Sequence, residues 1–390
     1  MNHSAPRAVT VPWRRMDEWV ARSAQEIERR AVRELEALVG VSSPSGDRRG
    51  ADECAAVCAA LLPDDAEAER LPCSSADHAD DLLARLRGTG ERRLLLLGHV
   101  DTVVAHEAHR PLERHGEKLV GSGTVDMKGG VVLALGVLRA LTARRQDYAE
   151  VALLLVCDEE WRTRDFAHVE RFAGFDACLC FEGGARTADG RDGIVVRRKA
   201  AGTIKVLAEG RAAHSGSAPD RGRNALLALA SAAQAVAGCH APDGPDRLTA
   251  VPTVMRSGDA FNVVPGHGEL VCDLRADSAT AFDRVLAAIP AEVGGARLHT
   301  EVVRLWPGMD ATQATIPLIE RASIVLDAPV VGMPRGGASD ASHFASAIPV
   351  TVDGLGPLGG AAHNPEEYVV EGSIGARAAV ALAVTAAALG

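Results

Sequence analysis

Carboxylates and histidines recur along this 390-residue chain at the ends of apolar runs and in glycine-rich turns, from LLLLGHVDTV through GSGTVDMKGG, LLLVCDEEW and CLCFEGG to GGAAHNPEEY. His99, Asp126, Glu160, Glu182 and His363 offer two imidazoles and three carboxylates, a mixed nitrogen and oxygen set that suits zinc or a similar divalent ion better than calcium or magnesium. Cobalt or manganese would accept the same donors. One tetrahedral or five-coordinate ion does not need five protein ligands. The count points to two ions sharing a bridging carboxylate, with water or hydroxide as the second bridge, which is the arrangement of two-metal hydrolases.

Three apolar runs must position these groups. Leu94 to Leu97, Val151 to Val156 and Ala177 to Phe181 have the length and the leucine or β-branched content of buried parallel strands. The acids then emerge at strand C-terminal ends, where open α/β sheets bind ligands. Residues 17–40 predict a helix, with Trp19, Ile27, Val32, Leu35 and Leu38 near helical spacing ahead of the SSPSG turn signal. Strands and helices alternate to about Gly184, which predicts a mostly parallel sheet covered on both faces. Near Val195 the pattern changes. VVRRKAAGTIKVLAEGRAAHSG has strand character, NALLALASAAQAVAG reads as an alanine-rich helix, and FNVVPGHGELVCDLRA with AFDRVLAAIPAEV adds a strand pair and a helix, predicting a small α+β sandwich.

These motifs, in this order, resemble the di-zinc family that includes aminoacylase, acetylornithine deacetylase, succinyl-diaminopimelate desuccinylase and glutamate carboxypeptidase, from roughly Val39 to the C-terminus. The resemblance implies an α/β fold: a mostly parallel-sheet zinc-hydrolase catalytic domain in two parts, residues 1–197 and 310–390. Between them, at 198–309, it implies an inserted α+β, ferredoxin-like lid or dimerisation domain. By the same resemblance His99 and Glu182 are the terminal ligands of one zinc, Glu160 and His363 bind the other, and Asp126 bridges the two Zn2+ ions. Asp101 falls on the aspartate that orients the ligand histidine through its far ring nitrogen, and Glu159 falls on the general base. Neighbours on an extended segment point opposite ways, so Glu159 and Glu160 reach one site only through a turn at the strand end.

The inserted segment carries further candidates. His214, in GRAAHSGSAPDRGRNAL, resembles the family histidine that reaches across a dimer into the partner's active site, where it would donate a hydrogen bond to the reaction's oxyanion. Its plain alternative is a surface loop histidine. Asn262 in FNVVP and Arg275 in CDLR fall on positions near the substrate carbonyl and its carboxylate, and a guanidinium can hold a carboxylate in a two-point fork. A turn residue and a surface salt bridge are the plain alternatives. Gly336-Gly337-Ala338-Ser339-Asp340 resembles the glycine-rich loop beside the substrate carboxylate, where backbone N–H groups of Gly336 and Gly337 and the hydroxyl of Ser339 could hold an anion. His106, His109 and His115 are expected in solvent-exposed loops.

One departure stands out. Where relatives carry a small Gly-Ser turn after the Glu-Glu pair, this chain has Trp161-Arg162-Thr163-Arg164, which either reshapes the pocket rim to favour an acidic or aromatic substrate or packs under the loop. Glu182, rather than Asp, resembles the family's deacylases and carboxypeptidases and leans away from its aminopeptidases. The His214 segment looks closest to glutamate carboxypeptidase.

Composition bounds the rest. At 390 residues two domains are expected, and 47% hydrophobic with 24% charged residues is ordinary globular content. A formal charge of −10, with only short basic runs at Arg14-Arg15 and Arg197-Arg198-Lys199, argues against nucleic acid as a partner. The sequence has no stretch of 18 or more wholly apolar residues, and the N-terminal segment lacks an apolar core behind its charges, so no membrane partner and a cytoplasmic location are expected. Eight cysteines form no CxxC pair, and Cys157, Cys178 and Cys180 fall in or beside apolar strands, so disulfides are not expected. The expectation is a homodimeric di-zinc hydrolase that takes a small-molecule or peptide substrate with a free carboxylate and cleaves the amide or peptide bond beside it. The alternatives are an N-acyl amino acid deacylase of the acetylornithine deacetylase or desuccinylase type and, from another class, a non-catalytic metal-binding relative. The presence of Glu159, His214 and every ligand speaks against the last.

Overall fold

Leu94, Leu95, Leu96 and Leu97 are all fully buried, and they face alternately into two separate cores. That alternation organises the main sheet and the layers on either side of it. The computed structural model describes residues 16–390, so the Arg14-Arg15 run and the N-terminal stretch read for a leader lie outside the described residues. The main sheet consists of β1 (Glu67–Leu71), β2 (Asp81–Arg87), β3 (Arg92–His99), β4 (Tyr148–Val156), β5 (Ala177–Cys180) and a short last strand, Thr351–Val352. Their spatial order is β1-β2-β4-β3-β5-last. β3 pairs in parallel with β4 and β5, and the last strand in parallel with β5, whereas β2 runs antiparallel to β4 and β1 antiparallel to β2. The expected parallel sheet is therefore its centre, finished by an antiparallel edge.

One core joins Leu94, Leu96, Leu153, Leu155 and Leu179 to the helices α1 (Glu18–Val39), α2 (Arg48–Ala60) and α3 (Gly129–Leu141), and to the C-terminal helix Ile374–Leu389. The other joins Leu95, Leu97, Leu154, Val156 and Cys178 to Phe172, Phe175 and Phe344. Strands buried on both faces need continuous rather than alternating apolar sequence, which is what the LLLL and VALLLV runs provide. α1 begins at the Asp17 side chain, which accepts the N–H groups of Trp19 and Val20, and it buries Val20, Ala24, Ile27, Ala31, Leu35 and Leu38 along one stripe.

The stretch Glu371–Leu389 reaches a mean hydropathy of 1.6, long and apolar enough by composition to cross a membrane, although no wholly apolar run of that length exists. Its environment is the protein interior, because 83% of its most apolar window is buried. Arg377 lies within it, fully buried, and donates to the carbonyls of Gly193, Gly354 and Gly356.

Between the two portions of this sheet system, residues 200–306 run β-α-β-β-α-β: β6 (Ala200–Glu209), α4 (Ala225–Gly238), β7 (Thr249–Ser257), β8 (His267–Ala276), α5 (Phe282–Ala288) and β9 (Ala296–Trp306). The order across this antiparallel sheet is β7-β8-β6-β9, with the two-residue strand Glu292–Val293 beyond β9. It has a core of its own, in which Ile204, Val206, Leu229, Val236, Leu270 and Leu274 meet. β7 forms one edge, and Val251, Val254 and Met255 on it are exposed. The chain then returns through Val330–Arg335, which pairs in parallel with Asp192–Arg198.

Gly130 sets how closely two of these pieces approach. A Cβ placed there would lie 1.7 Å from the carbonyl oxygen of Phe181, so only glycine lets the start of α3 rest against the end of β5. Asp126 precedes that helix and Glu182 follows Phe181, so the contact spaces two acids of interest. Gly130→Ala is expected to destabilise the protein by about 1–3 kcal/mol. A lowered urea midpoint at unchanged slope would register this, and an unchanged midpoint would show that the helix can withdraw without cost.

Candidate metal centre

His99 is the last residue of β3, Glu159 and Glu160 lie in the turn that follows β4, and Glu182 lies just past β5. Three neighbouring parallel strands thus deliver their ends to one place. Asp126 comes from the turn ahead of α3, entered through Gly123 at a φ of 75°, and His363 comes from a loop late in the chain at a φ of 63°. A positive φ is costly for a residue with a side chain and persists where surrounding contacts enforce it.

The five expected ligands converge. His99 Nε2 is 3.2 Å from Asp126 Oδ1 and 3.6 Å from Glu182 Oε1. His363 Nε2 is 3.0 Å from Asp126 Oδ2 and 3.4 Å from Glu160 Oε2. Asp126 therefore turns one oxygen to each pair. In the groups His99-Asp126-Glu182 and Asp126-Glu160-His363, one ligand atom per residue lies within 4.8 Å of the others. Tetrahedral donors held at zinc's usual bond lengths are separated by ~3.3–3.6 Å, and the spacings here bracket that range. Donor type and geometry both fit two divalent cations sharing Asp126. Glu159 falls within the same limit of His99 and Glu160, which puts the expected base beside the cluster.

Acids packed this tightly perturb one another. Burial pushes the Glu159 carboxyl well above the usual range and raises Glu160, and burial together with the charge of Asp126 lifts Glu182 to about 7. Asp126 goes the other way. Burial opposes its ionisation, but the imidazoles of His363 and His99 hold its carboxyl below the usual range. His363, bonded to Asp126 and Glu160, is raised to about 10. Bound divalent cations are the strongest available compensation for such a concentration of negative charge.

The surrounding groups fix this arrangement. His99 Nδ1 is 3.0 Å from the main-chain oxygen of Asp101 and 3.4 Å from its carboxylate, so the carbonyl is the closer acceptor, and donation to it leaves Nε2 with its lone pair toward the cluster. The Asp101 carboxylate accepts the backbone N–H groups of Glu159 at 3.2 Å and Glu160 at 3.1 Å. The role expected of Asp101 is thus divided, since its carbonyl orients the histidine while its carboxylate pins the Glu-Glu turn. Glu367, not singled out from sequence, accepts from Gly123, Val125 and Asp126 at 3.0, 2.8 and 2.9 Å and holds the Asp126 turn. Its available signal was the second acid of NPEEY, close behind His363.

The unusual Trp161-Arg162-Thr163-Arg164 segment does two things at once. Arg162 is buried beneath the loop, paired with Asp158 at 2.9 Å and held in a two-point fork by Asp340 at 2.5 and 2.8 Å. Trp161 remains half exposed at the rim.

Several candidates from the sequence lie outside the cluster. His214 is exposed, pairs along the backbone with Val263, and uses Nδ1 to accept from Gly216 and Ser217. The main chain of Asn262 accepts from Ser215, so these two candidates are neighbours, with no hydrogen bond or ion pair to the five ligands among the described residues. The Arg275 guanidinium is taken up by Asp273 two residues away. For Ser339 the expectation of an anion donor is corrected, because its hydroxyl is buried and donates to Asp353 at 2.5 Å, a carboxylate that also binds Arg198. Gly336 and Gly337 are exposed, and the Gly337 carbonyl accepts from Arg198. His106 and His115 are exposed as expected, while His109 is only partly so, and none of the three joins a ligand group.

A cluster of acids and imidazoles at the C-terminal ends of a largely parallel sheet defines a metal-dependent hydrolase of the α/β class. The chain belongs to peptidase family M20/M25/M40, whose model matches residues 95–387. It is 25% identical over 370 residues to carboxypeptidase G2 of a Pseudomonas species, covering 90% of this chain and 88% of that protein. It is 28% identical over 320 residues to succinyl-diaminopimelate desuccinylase of Afipia carboxidovorans, covering 75% and 82%. Among solved structures it is similar in fold to an M20 family metallo-carboxypeptidase of Sulfolobus solfataricus, with a TM-score of 0.73 at 16% identity over 92% of this chain and 99% of that one. Aminopeptidase PepT of Bacillus cereus gives 0.74 at 20% identity over 93% and 98%.

Because Asp126 faces both ligand pairs, Asp126→Asn is expected to weaken uptake of both ions together, by about tenfold or more each. Metal titration followed by calorimetry would resolve this, and loss of one ion with normal affinity for the other would rule out a shared carboxylate.

Proposed function

We propose that this chain is a di-zinc amidohydrolase that cleaves an amide or peptide bond beside a free carboxylate. The observation that carries the reading is the division of Asp126 between two ligand pairs with Glu159 buried beside them, its carboxylate making no hydrogen bond among the described residues. The likeness to a carboxypeptidase and a desuccinylase supports an amide as the bond broken. When bound, the two ions would acidify a water molecule and polarise the scissile carbonyl.

Glu159 takes the proton of the attacking water and returns it to the amine nitrogen as the carbon–nitrogen bond breaks. The backbone bonds from Glu159 and Glu160 to Asp101 keep the base and its neighbour in place through both transfers. His214 acts from a second copy of the chain, donating to the oxyanion. Residues 198–309 serve as lid and dimerisation domain between catalytic parts 1–197 and 310–390. Support for the dimer comes from the exposed apolar edge strand β7, from exposed Leu227 on α4, and from Phe261, which is fully exposed beside Asn262 and His214. Isolated apolar side chains are common on surfaces, whereas three exposed on one edge strand suit an interface. All eight cysteines are free, which suits a cytoplasmic location.

On the substrate side, Asn262, Arg275 and the Gly336-Gly337 backbone would receive the carbonyl and carboxylate groups. The pairing of Arg275 with Asp273 favours the alternative reading, an N-acyl amino acid deacylase that recognises its acyl group more than its carboxylate.

Purified zinc-loaded protein is expected to hydrolyse N-acyl amino acids, and Glu159→Gln to lower kcat by about 10²–10⁴-fold or more while both ions stay bound. Steady-state rates alongside metal analysis check this, and near-normal turnover would remove Glu159 from the chemistry. His214→Ala and Glu159→Gln chains, each inactive alone, are expected to regain activity when mixed under conditions of proven subunit exchange. Mixtures that stay inactive would place His214 in its own chain's site.

A further inference from the structure

Arg304, which no motif in the sequence singled out, is a cation without a partner at a cavity shared with the segment that follows the Glu-Glu turn. It lies on β9 of the inserted segment, and its guanidinium stacks 4.0 Å from the centroid of Trp306. Among the described residues it makes no ion pair and no side-chain hydrogen bond, and its Nε is buried with no acceptor. Of the other arginines nearby, Arg162 is occupied by Asp158 and Asp340 and Arg275 by Asp273, while Arg164 is exposed to solvent. Arg304 feels the charges of Glu159 and Glu160, yet neither carboxylate bonds to it.

Arg304 lines a cavity of about 340 Å³ between β9 and the segment Arg162–Asp165, which begins immediately beyond the ligand turn. Val303, Leu305 and Trp306 give it apolar walls, while the exposed Arg164 and Asp165 contribute one charge of each sign. Stacking on an indole holds the planar guanidinium in one orientation before any ligand arrives, which reduces the ordering cost of a two-point contact. An unpaired, partly desolvated guanidinium in a walled cavity complements a forked oxyanion, and the amide substrates of the proposed reaction supply one as a carboxylate.

We infer that Arg304 and Trp306 form a second anion subsite, which receives a substrate carboxylate other than the one flanking the scissile bond, so that the preferred substrates are dicarboxylates. This rests on the amidohydrolase reading and narrows it. A buried donor left unpaired disfavours ligands that cannot satisfy it, so the subsite selects against the neutral amide counterpart as much as it selects for the acid.

Two probe pairs test it on the zinc-loaded full chain carrying Glu159→Gln, so that binding is read without turnover. N-acetylglutamate against N-acetylglutamine places the charge difference on the amine side, and N-succinylglycine against N-succinamoylglycine places it on the acyl side. Calorimetry is expected to give a preference of about tenfold or more for the charged member of one pair, as a charge-assisted hydrogen bond implies. Adding Arg304→Gln should abolish that preference, and Arg304→Lys should retain part of it, with thermal melts confirming that each variant is folded. Absence of preference in both pairs, or a preference that survives Arg304→Gln, would overturn the subsite while leaving the amidohydrolase reading intact. If none of the four probes bound the zinc-loaded protein, the amidohydrolase reading itself would fail, and the subsite with it.

Discussion

The shared carboxylate of Asp126 is the constraint around which the rest of the protein is arranged. Two imidazoles and two further acids can approach it only if strands β3, β4 and β5 end at one level, if the turn before α3 bends sharply, and if a loop from the far end of the chain folds back. Each of these conditions has a visible cause. Leucines buried on both faces hold the strands level, glycine at position 130 lets α3 close on β5, and a left-handed backbone at His363 brings its ring to Asp126 and Glu160. Bringing ionisable groups together in a buried place costs free energy, and the site keeps them there for chemistry rather than for stability.

Around the ligands lies a ring of acceptors and buried ion pairs that position loops instead of holding substrate. Asp101 and Glu367 each gather backbone N–H groups, one from the Glu-Glu turn and the other from the Asp126 turn. Arg162 ties Asp158 to Asp340, and Arg198 ties Asp353 to the loop of Gly337. Buried ion pairs of this kind contribute little net stability compared with apolar packing, whereas breaking one strands a charge at a cost of about 3–5 kcal/mol. Their value is geometric, because loops tied at several points cannot drift when substrate arrives.

Legibility in the sequence followed the range of the interaction. The apolar runs, the α1 stripe and the elements β6, α4, β8 and α5 were readable because periodicity and composition are local, whereas the strands β7 and β9 lie outside the segments that such patterning marked. The five converging residues were readable because each follows a strand or a turn whose end can be located, and because their order resembles a known family. Ion pairs joining positions far apart leave no such trace. Nothing near Arg162 announces Asp340, and Ser339 looked like an anion donor because Asp353, which claims its hydroxyl, comes later in the chain. Arg304 was unreadable for the opposite reason, since what distinguishes it is the lack of a partner, and only the assembled structure shows that.

The ligands also arrive in a definite order during synthesis. His99, Asp126, Glu160 and Glu182 leave the ribosome before residues 200–306, and His363 follows only after that segment. Because the segment has its own core, it can fold while the last strand and the C-terminal helix are still being made. Until His363 emerges, the nascent chain carries the group His99, Asp126 and Glu182 complete, while the group Asp126, Glu160 and His363 lacks its last member. The second group is therefore completed only once translation has passed the final loop.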